Sequence, residues 1–234
     1  MEREGFGKKA VSINNRKVAV TADLNVTEYS LGDHPGSCFI IDLDNNDAIE
    51  RIVTNDNVGV TAFCKNLILS DKYLFVSTMD LENLNGPIKL FSFAMSSTNE
   101  WNMTDELILP CDKDCHIWDL DFDTQSNVLA VGRLKKDENN EDIDDSYIQL
   151  INVDESGKMS HLTNLPYEIR SGNSGSWDAF GYSISISDKR VIIGSPLSDQ
   201  DENSGSMAPG SFYYFEIPME HFSVPAMGGI GLFA

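Results

Sequence analysis

The residues whose types and spacing most clearly suggest a chemical function are the acidic ones at alternate positions after Trp118. Asp119, Asp121 and Asp123, followed by Asn127, supply side-chain oxygens at relative positions 1, 3, 5 and 9. Calcium prefers such oxygen ligands, so the spacing predicts a calcium site. The glycine that such loops place at position six is missing, because Thr124 stands there. The alternation equally fits a strand whose apolar residues face a core while its aspartates face water.

Signals for catalysis are weak along the whole chain. The sequence has no Gly-x-Ser-x-Gly nucleophile elbow, and its carboxylates are so numerous that spacing singles out no acid–base pair. The histidines stand apart, with no His-x-x-x-His pair: His34, His116, His161 and His221. We therefore expect a protein that is not an enzyme, with no catalytic or cofactor-binding residues and with calcium as the candidate ion.

The charge balance of the 234-residue chain is strongly acidic, with 37 Asp and Glu against 17 Lys and Arg and a formal net charge of −20. Such a field repels nucleic acid and anionic membranes, and it suits cations, basic partners or solubility alone. No apolar run approaches the roughly 20 residues of a membrane-spanning helix. Met1 to Gly5 lack the pattern of a signal peptide. These features predict either an intracellular protein or a trimmed portion of a secreted one.

The four cysteines are too few for a disulfide scaffold. Cys111 and Cys115 have a spacing that a loop disulfide could close, and whether they pair is left open. Cys38 and Cys64 lie in strand-like runs, and we interpret them as buried free thiols.

The elements that must position these residues are short strands in a fourfold repeat. The last copy is the clearest: Phe180-Gly181 precedes an alternating run, a polar turn, an apolar strand ending Gly194-Ser195-Pro196, and an aromatic strand opened by Gly210-Ser211. Equivalent apolar anchors recur at spacings of 56, 55 and 62 residues: Val20, Val76, Val131 and Ile193. A small residue follows each anchor: Thr21, Ser77, Gly132 and Gly194. Strand-only repeats of this period predict a β-propeller.

These motifs resemble the FG-GAP repeat of integrin-alpha-like β-propellers. Phe6-Gly7 and Gly36-Ser37 carry the match in the first copy, whereas the second and third copies keep only the strand pattern. The resemblance implies an all-β propeller of four-stranded antiparallel blades, which we place at about 6–54, 58–110, 115–169 and 177–226. A glycine-rich apolar tail follows at 227–234. Family propellers usually have seven blades, which favours an arc of a larger ring, whereas the lack of leftover sequence favours a closed ring of four.

The resemblance also implies calcium cages between first and second strands, which is where Asp119 to Asn127 lie. It implies recognition or adhesion at the cell surface or outside the cell. We therefore expect a non-catalytic protein-binding or scaffolding propeller that acts through its rim loops within a larger assembly. The alternative is a propeller domain of, or associated with, a hydrolase such as a phospholipase-like enzyme.

Overall fold

The structure, a computed structural model, describes residues 4–14, 16–24, 37–44, 48–52, 62–79, 88–98, 100–110, 116–136, 144–162, 168–170, 179–196 and 210–217. These residues form sixteen strands, β1 to β16, and no helix. None of the described residues therefore builds a helix long and apolar enough to cross a membrane.

The strands form four antiparallel sheets, each made from consecutive strands. Sheet 1 contains β1 (Glu4–Asn14), β2 (Lys17–Leu24), β3 (Ser37–Asp42) and β4 (Ala48–Ile52). Sheet 2 contains β5 (Ala62–Leu69), β6 (Tyr73–Met79), β7 (Ile88–Met95) and β8 (Trp101–Leu109). Sheet 3 contains β9 (His116–Asp123), β10 (Val128–Lys136), β11 (Asp144–Val153), β12 (Met159–His161) and β13 (Glu168–Arg170). Sheet 4 contains β14 (Ser183–Ser187), β15 (Arg190–Ser195) and β16 (Ser211–Glu216).

Local sequence explains the hairpins that build these sheets. Along β14, Ile184 and Ile186 are buried while the intervening serines are exposed, as period-two alternation requires. The β14–β15 turn has two central residues, Asp188 and Lys189, at φ of 48° and 62°. Positive φ at both positions is the geometry of the tight turn that matches the twist of a hairpin.

The sheets stack face to face in chain order, with their first strands side by side: β1 packs beside β5, β5 beside β9, and β9 beside β14. Apolar cores fill the spaces between consecutive sheets. Phe63, Leu74 and Phe91 lie between sheets 1 and 2, and Phe75 and Phe122 lie between sheets 2 and 3 with ring centroids 4.8 Å apart. Each sheet thus depends on its neighbour to bury its apolar face, as blades of a propeller do.

The described residues form an arc, not a closed ring. Packing joins sheet 1 to sheet 2, sheet 2 to sheet 3, and sheet 3 to sheet 4, and within this part of the chain no comparable packing joins sheet 4 back to sheet 1. The predicted outer strand of the fourth blade and the tail at 227–234 lie outside the described residues.

A disulfide crosses from the first sheet to the second, and it corrects the interpretation of two cysteines as free thiols. Cys38 in β3 and Cys64 in β5 are bonded, with Cα atoms 5.7 Å apart, and both are fully buried. The sequence placed both in strands but could not show that strands from different sheets would bring them together. Cys111 and Cys115 lie outside the described residues.

Candidate functional site at the acidic end of the propeller

The hydrogen bonds between sheets show that all four sheets point the same way. Turns between first and second strands lie beside turns of the neighbouring sheet in each pair. Lys17 Nζ donates to Met95 Sδ at 3.0 Å, Tyr73 Oη donates to the Glu155 carbonyl oxygen at 2.7 Å, and the Lys189 amide donates to Asp123 Oδ2 at 3.3 Å. One end of the arc, the turn end, therefore carries every tight turn of the four sheets. The connections from second to third strands must all leave from the opposite end.

Charge is divided unevenly between these two ends. The turn end carries both signs of charge: the basic residues Arg16, Lys17, Lys72, Lys189 and Arg190, and the carboxylates Asp42, Asp44, Asp71, Asp123, Asp154, Glu155 and Asp188. The four connections between second and third strands, at 25–36, 80–87, 137–143 and 197–209, contain eleven Asp and Glu and no Lys or Arg. We call the end from which these connections leave the acidic end. The four connections lie outside the described residues, whereas the strand ends that fix their origin are described.

Lys135 and Lys136 also lie at this end, opposite Asp145 and Asp144, so carboxylates exceed basic residues there without being free of them. An excess of carboxylates has two chemical uses. They bind divalent cations through oxygen ligands, or they act as general acids and bases. Like charges close together raise the pKa of one member of a pair, which lets one carboxyl group stay protonated while the other is ionised. The acidic end is therefore the candidate functional site: four separate stretches of sequence start from described strand ends that point to this end of the arc.

The aspartates predicted as calcium ligands lie on β9, in a row that faces sheet 4. Asp119 Oδ2 accepts a hydrogen bond from the Ile184 amide at 2.9 Å, and Asp121 Oδ2 accepts one from the Ile186 amide at 2.7 Å. The Oδ1 atoms of the same two aspartates accept the amides of Leu120 and Phe122, both at 2.9 Å. This row of aspartates thus holds β14, the first strand of sheet 4, against β9, the first strand of sheet 3.

Asp123 ends this row at the turn between β9 and β10. Its Oδ1 accepts the Gln125 amide at 3.0 Å, and its Oδ2 accepts the Ser126 hydroxyl at 2.6 Å. Asn127 lies further along the turn, with φ of 55°, and its carbonyl oxygen accepts the Val153 amide at 2.9 Å. In the described part of the chain, no three His, Cys, Asp or Glu side chains form a group suited to a metal. Calcium binding by Asp119, Asp121, Asp123 and Asn127 stays a prediction, which unfolding measurements in calcium and in chelator can test.

Two of the four histidines lie in the described residues, and one of them belongs to a buried polar network that the sequence did not indicate. Arg133, only 3% exposed, donates from Nη1 to Gln149 Oε1 at 2.8 Å and from Nη2 to the Pro110 carbonyl oxygen at 2.6 Å. Gln149 Nε2 in turn lies 3.0 Å from His161 Nδ1. His116 lies at the start of β9, and His34 and His221 fall outside the described residues. This network ties β10, β11 and β12 together.

The turn between β11 and β12 packs on Tyr73 and so joins sheets 2 and 3. A Cβ on Gly157 would lie 3.1 Å from Tyr73 Cε1, and the Gly157 carbonyl oxygen accepts the Ser92 hydroxyl at 2.7 Å. Burial, with smaller contributions from Asp154 and Glu155, raises the pKa of the Tyr73 hydroxyl above its usual 10.0. Hydrogen bonds from Ser156 and Lys158 lower the pKa of Asp154. The ionisation state of this turn is therefore coupled to the contact between sheets.

The Phe-Gly signature has a physical explanation at the boundary between sheets 3 and 4. Phe180 is buried beside Tyr213, with ring centroids 5.2 Å apart, and Gly181 has φ of 88°. A Cβ on Gly132 would overlap the Gly181 carbonyl oxygen, and a Cβ on Gly181 would lie 2.7 Å from Ile148 Cδ1. Gly132, the small residue after the anchor of the third blade, thus receives the Phe180-Gly181 turn of the fourth.

The fold defined by these contacts is a propeller type: all-β, with four-stranded antiparallel blades stacked through their faces. This confirms the predicted fold class. Residues 169–215, which include most of sheet 4, match the family described as FG-GAP repeat, and this confirms the predicted resemblance. A comparison with curated protein sequences finds no match.

Of three solved structures that are similar to the chain, two are named as carbohydrate-active enzymes. One named "Glycoside hydrolase" has a TM-score of 0.41 and 10% identity, covering 81% of this chain and 64% of that one. A complex of BT0996 with RGII has a TM-score of 0.42, 10% identity and the same coverages, so the chain spans less than two thirds of either protein. The catalytic domain of Coprinopsis cinerea GH62 alpha-L-arabinofuranosidase has a TM-score of 0.38 and 11% identity, with 89% of both proteins covered. Identities and scores at this level transfer neither a substrate nor a catalytic residue.

These comparisons correct two expectations. The family resemblance implied a non-catalytic protein-binding or scaffolding role, but two of the similar solved structures are named as a glycoside hydrolase and as the catalytic domain of an arabinofuranosidase. The same finding stands against the expectation that the protein is not an enzyme. The physical reason is that a propeller fold is compatible with many activities, so a fold-level resemblance does not exclude catalysis.

Proposed function

We propose that this chain is a propeller domain of a hydrolase whose acid–base groups come from the acidic end. The observation that carries the proposal is the common orientation of the four sheets. That orientation directs four connections with eleven carboxylates, and with no Lys or Arg, to one end of the arc. Carboxylates from different blades can then converge on one substrate, as general acid–base catalysis requires.

Glycosides are the substrate class that fits this chemistry best. Most glycoside hydrolases use two carboxyl groups, one protonated and one ionised, at separations of roughly 5–9.5 Å. Neither a nucleophile elbow nor a histidine pair is present to support another hydrolytic mechanism. The proposal therefore rests on the carboxylates of this chain.

The carboxylates of β9 are not candidates for this role, because backbone amides of sheet 4 and of β9 itself already use their oxygens. The richest connection is 137–143, which contains Asp137, Glu138, Glu141 and Asp142. The corresponding connection of the next blade, 197–209, contributes Asp199, Asp201 and Glu202. Because sheets 3 and 4 are adjacent, these two connections leave from neighbouring positions at the acidic end.

The test is a hydrolysis assay on a panel of aryl glycosides and plant polysaccharides, with release of reducing sugar as the readout. We expect turnover with a bell-shaped dependence on pH, because one carboxyl group must be protonated and another ionised. Single Asp→Asn or Glu→Gln changes in 137–143 and 197–209 should identify at least one position where kcat falls about 100-fold or more. Asp71→Asn, at an exposed turn of the opposite end, is the matched control and should leave kcat unchanged.

No hydrolysis across the panel would overturn the proposal. Turnover that none of the acidic-end substitutions lowers would also refute it, because the activity would then arise elsewhere in the chain.

A further inference from the structure

The last sheet of the arc presents an apolar face that its equivalents in the fold keep buried. Ile192 and Tyr214 lie opposite each other on β15 and β16, and Phe212 lies opposite Gly194 on the same face. Ile192 is 49% exposed, Tyr214 51% and Phe212 77%. Contiguous apolar side chains of this size on a surface usually mark a contact site.

Comparison with sheet 3 shows what kind of contact this face fits. The strand registers make Ala130, Ile148 and Leu150 of sheet 3 equivalent to Ile192, Phe212 and Tyr214 of sheet 4. Sheet 4 covers those three sheet 3 residues, and each is at most 1% exposed. Gly194 likewise corresponds to Gly132, against which the Phe180–Gly181 turn packs. The free face of sheet 4 therefore has the layout of a surface that receives another blade.

At the other end of the arc, sheet 1 also has an apolar face that no neighbouring sheet covers in the described residues. Val18, Ile41 and Ile49 are paired across β2, β3 and β4 of sheet 1 and share one face. Val18 and Ile41 are half-buried and Ile49 is 65% exposed, whereas Val20 on the same face is 5% exposed, so the open part of the face lies toward Ile49. Their sheet 2 equivalents on the two central strands, Leu74 and Phe93, are 0% and 4% exposed because sheet 1 covers them.

We propose that the free face of sheet 4 in one copy of this chain packs on the free face of sheet 1 in a second copy. The contact continues the stacking that joins sheets 1 to 4 within a chain, and it uses the only two sheet faces that the described residues leave without a neighbouring sheet. Two four-sheet arcs joined head to tail at both ends make an eight-sheet ring, within the usual range of blade number. Two identical contacts close such a ring, as head-to-tail contacts do when their rotation brings the chain back on itself. The proposal does not depend on hydrolytic activity.

Charge sets the conditions under which the pairing is measured. A net charge of −20 on each chain opposes association, and salt screens such repulsion because the Debye length falls from about 10 Å at 0.1 M to 3 Å at 1 M. The apolar contact itself does not weaken with salt. Dimerisation should therefore strengthen as NaCl rises from 0.05 to 0.5 M.

Sedimentation equilibrium of the full chain between 1 and 100 µM tests the proposal. We expect a dimer, with Ile192→Asp and Ile49→Asp each raising the dimer dissociation constant at least tenfold. Ile108→Asp is the matched control: the same substitution at 51% exposure on the edge strand of sheet 2, which should leave the constant unchanged. Far-UV circular dichroism and the thermal unfolding midpoint confirm that each variant is folded.

Mixing the two variants distinguishes the head-to-tail contact from other dimers. In a mixed pair, sheet 4 of the Ile49→Asp chain and sheet 1 of the Ile192→Asp chain form one intact contact, and the other contact carries both substitutions. Because one Asp already disrupts a contact, the second one at the same contact costs little more. The mixture should dimerise more strongly than either variant alone. The proposal would be overturned if the chain stayed monomeric at 100 µM at both NaCl concentrations, or if neither variant weakened the dimer. It would also be overturned if the mixture dimerised no more strongly than the single variants.

Discussion

Replacing one carboxylate in the β9 row with an amide tests whether that row holds two blades together. Asp121 has one oxygen on the Ile186 amide at 2.7 Å and the other on the Phe122 amide at 2.9 Å. Asp121→Asn keeps one acceptor oxygen and puts an amino group where the second one was. That group cannot accept, so one N–H in the boundary between sheets loses its partner.

The magnitude follows from the cost of an unmade hydrogen bond. An unsatisfied buried donor costs about 1–3 kcal/mol, and bonds to charged acceptors contribute about 1.5–3 kcal/mol. Because Asp121 is only half-buried, we expect a loss near the middle of this range, about 2 kcal/mol of unfolding free energy. In a domain of this size, that corresponds to a fall of about 4–8 °C in the thermal midpoint.

Urea unfolding monitored by tryptophan fluorescence measures this loss, once in calcium and once in chelator. Asp188→Asn is the matched control, because it removes the same charge from an exposed turn position whose positive φ asparagine tolerates. The control should change stability by less than about 0.5 kcal/mol. Equal stability of Asp121→Asn and the control would refute the reasoning. A loss seen only in calcium, together with a lower wild-type midpoint in chelator, would support the predicted calcium site instead.

Three further perturbations test the contacts between blades. The double change Cys38→Ala and Cys64→Ala removes the link between sheets 1 and 2 and should lower stability by about 3 kcal/mol in urea unfolding; no change would mean that the bond is absent in solution. Gly132→Ala should cost about 3 kcal/mol in the same assay, because its methyl group overlaps the Gly181 carbonyl oxygen. A raised Tyr73 pKa favours the neutral hydroxyl in the folded state, so its stabilisation is complete below about pH 10 and falls as pH rises toward the folded pKa. Urea titrations at pH 8, 10 and 11 should show wild type losing more stability than Tyr73→Phe, and parallel losses would contradict the assignment.

The strands and their repeat were predictable from sequence because each carries its own signal. The alternation in β14, the apolar runs of β10 and β15, and the small residue after each anchor are local patterns, and they gave the correct fold class. The alternation of Asp119, Asp121 and Asp123 also correctly indicated a strand. It could not indicate that these side chains would meet the backbone of β14, 65 residues away for Ile184 and Ile186.

Contacts that depend on how the sheets stack could not be predicted from the sequence. The Cys38–Cys64 bond joins different blades, and buried thiols look the same whether bonded or free until the strands are placed. Arg133 is a charged residue in an apolar strand, and only the structure supplies its partners, Gln149 and the Pro110 carbonyl. The sequence showed each acidic connection separately. That all four start from the same end of the arc could be recognised only from the common direction of the four sheets.

That common direction also sets a difference between the two ends of the molecule: the tight turns carry charges of both signs, whereas the connections that start from the other end carry eleven carboxylates and no Lys or Arg. On a cationic support the protein would bind with the connections against the surface and the turns toward solvent. An immobilised layer would then be oriented, with the proposed catalytic end covered and the tight turns accessible. Attachment through Lys72 or Lys189 at the turns would reverse that layer and leave the carboxylates open to substrate.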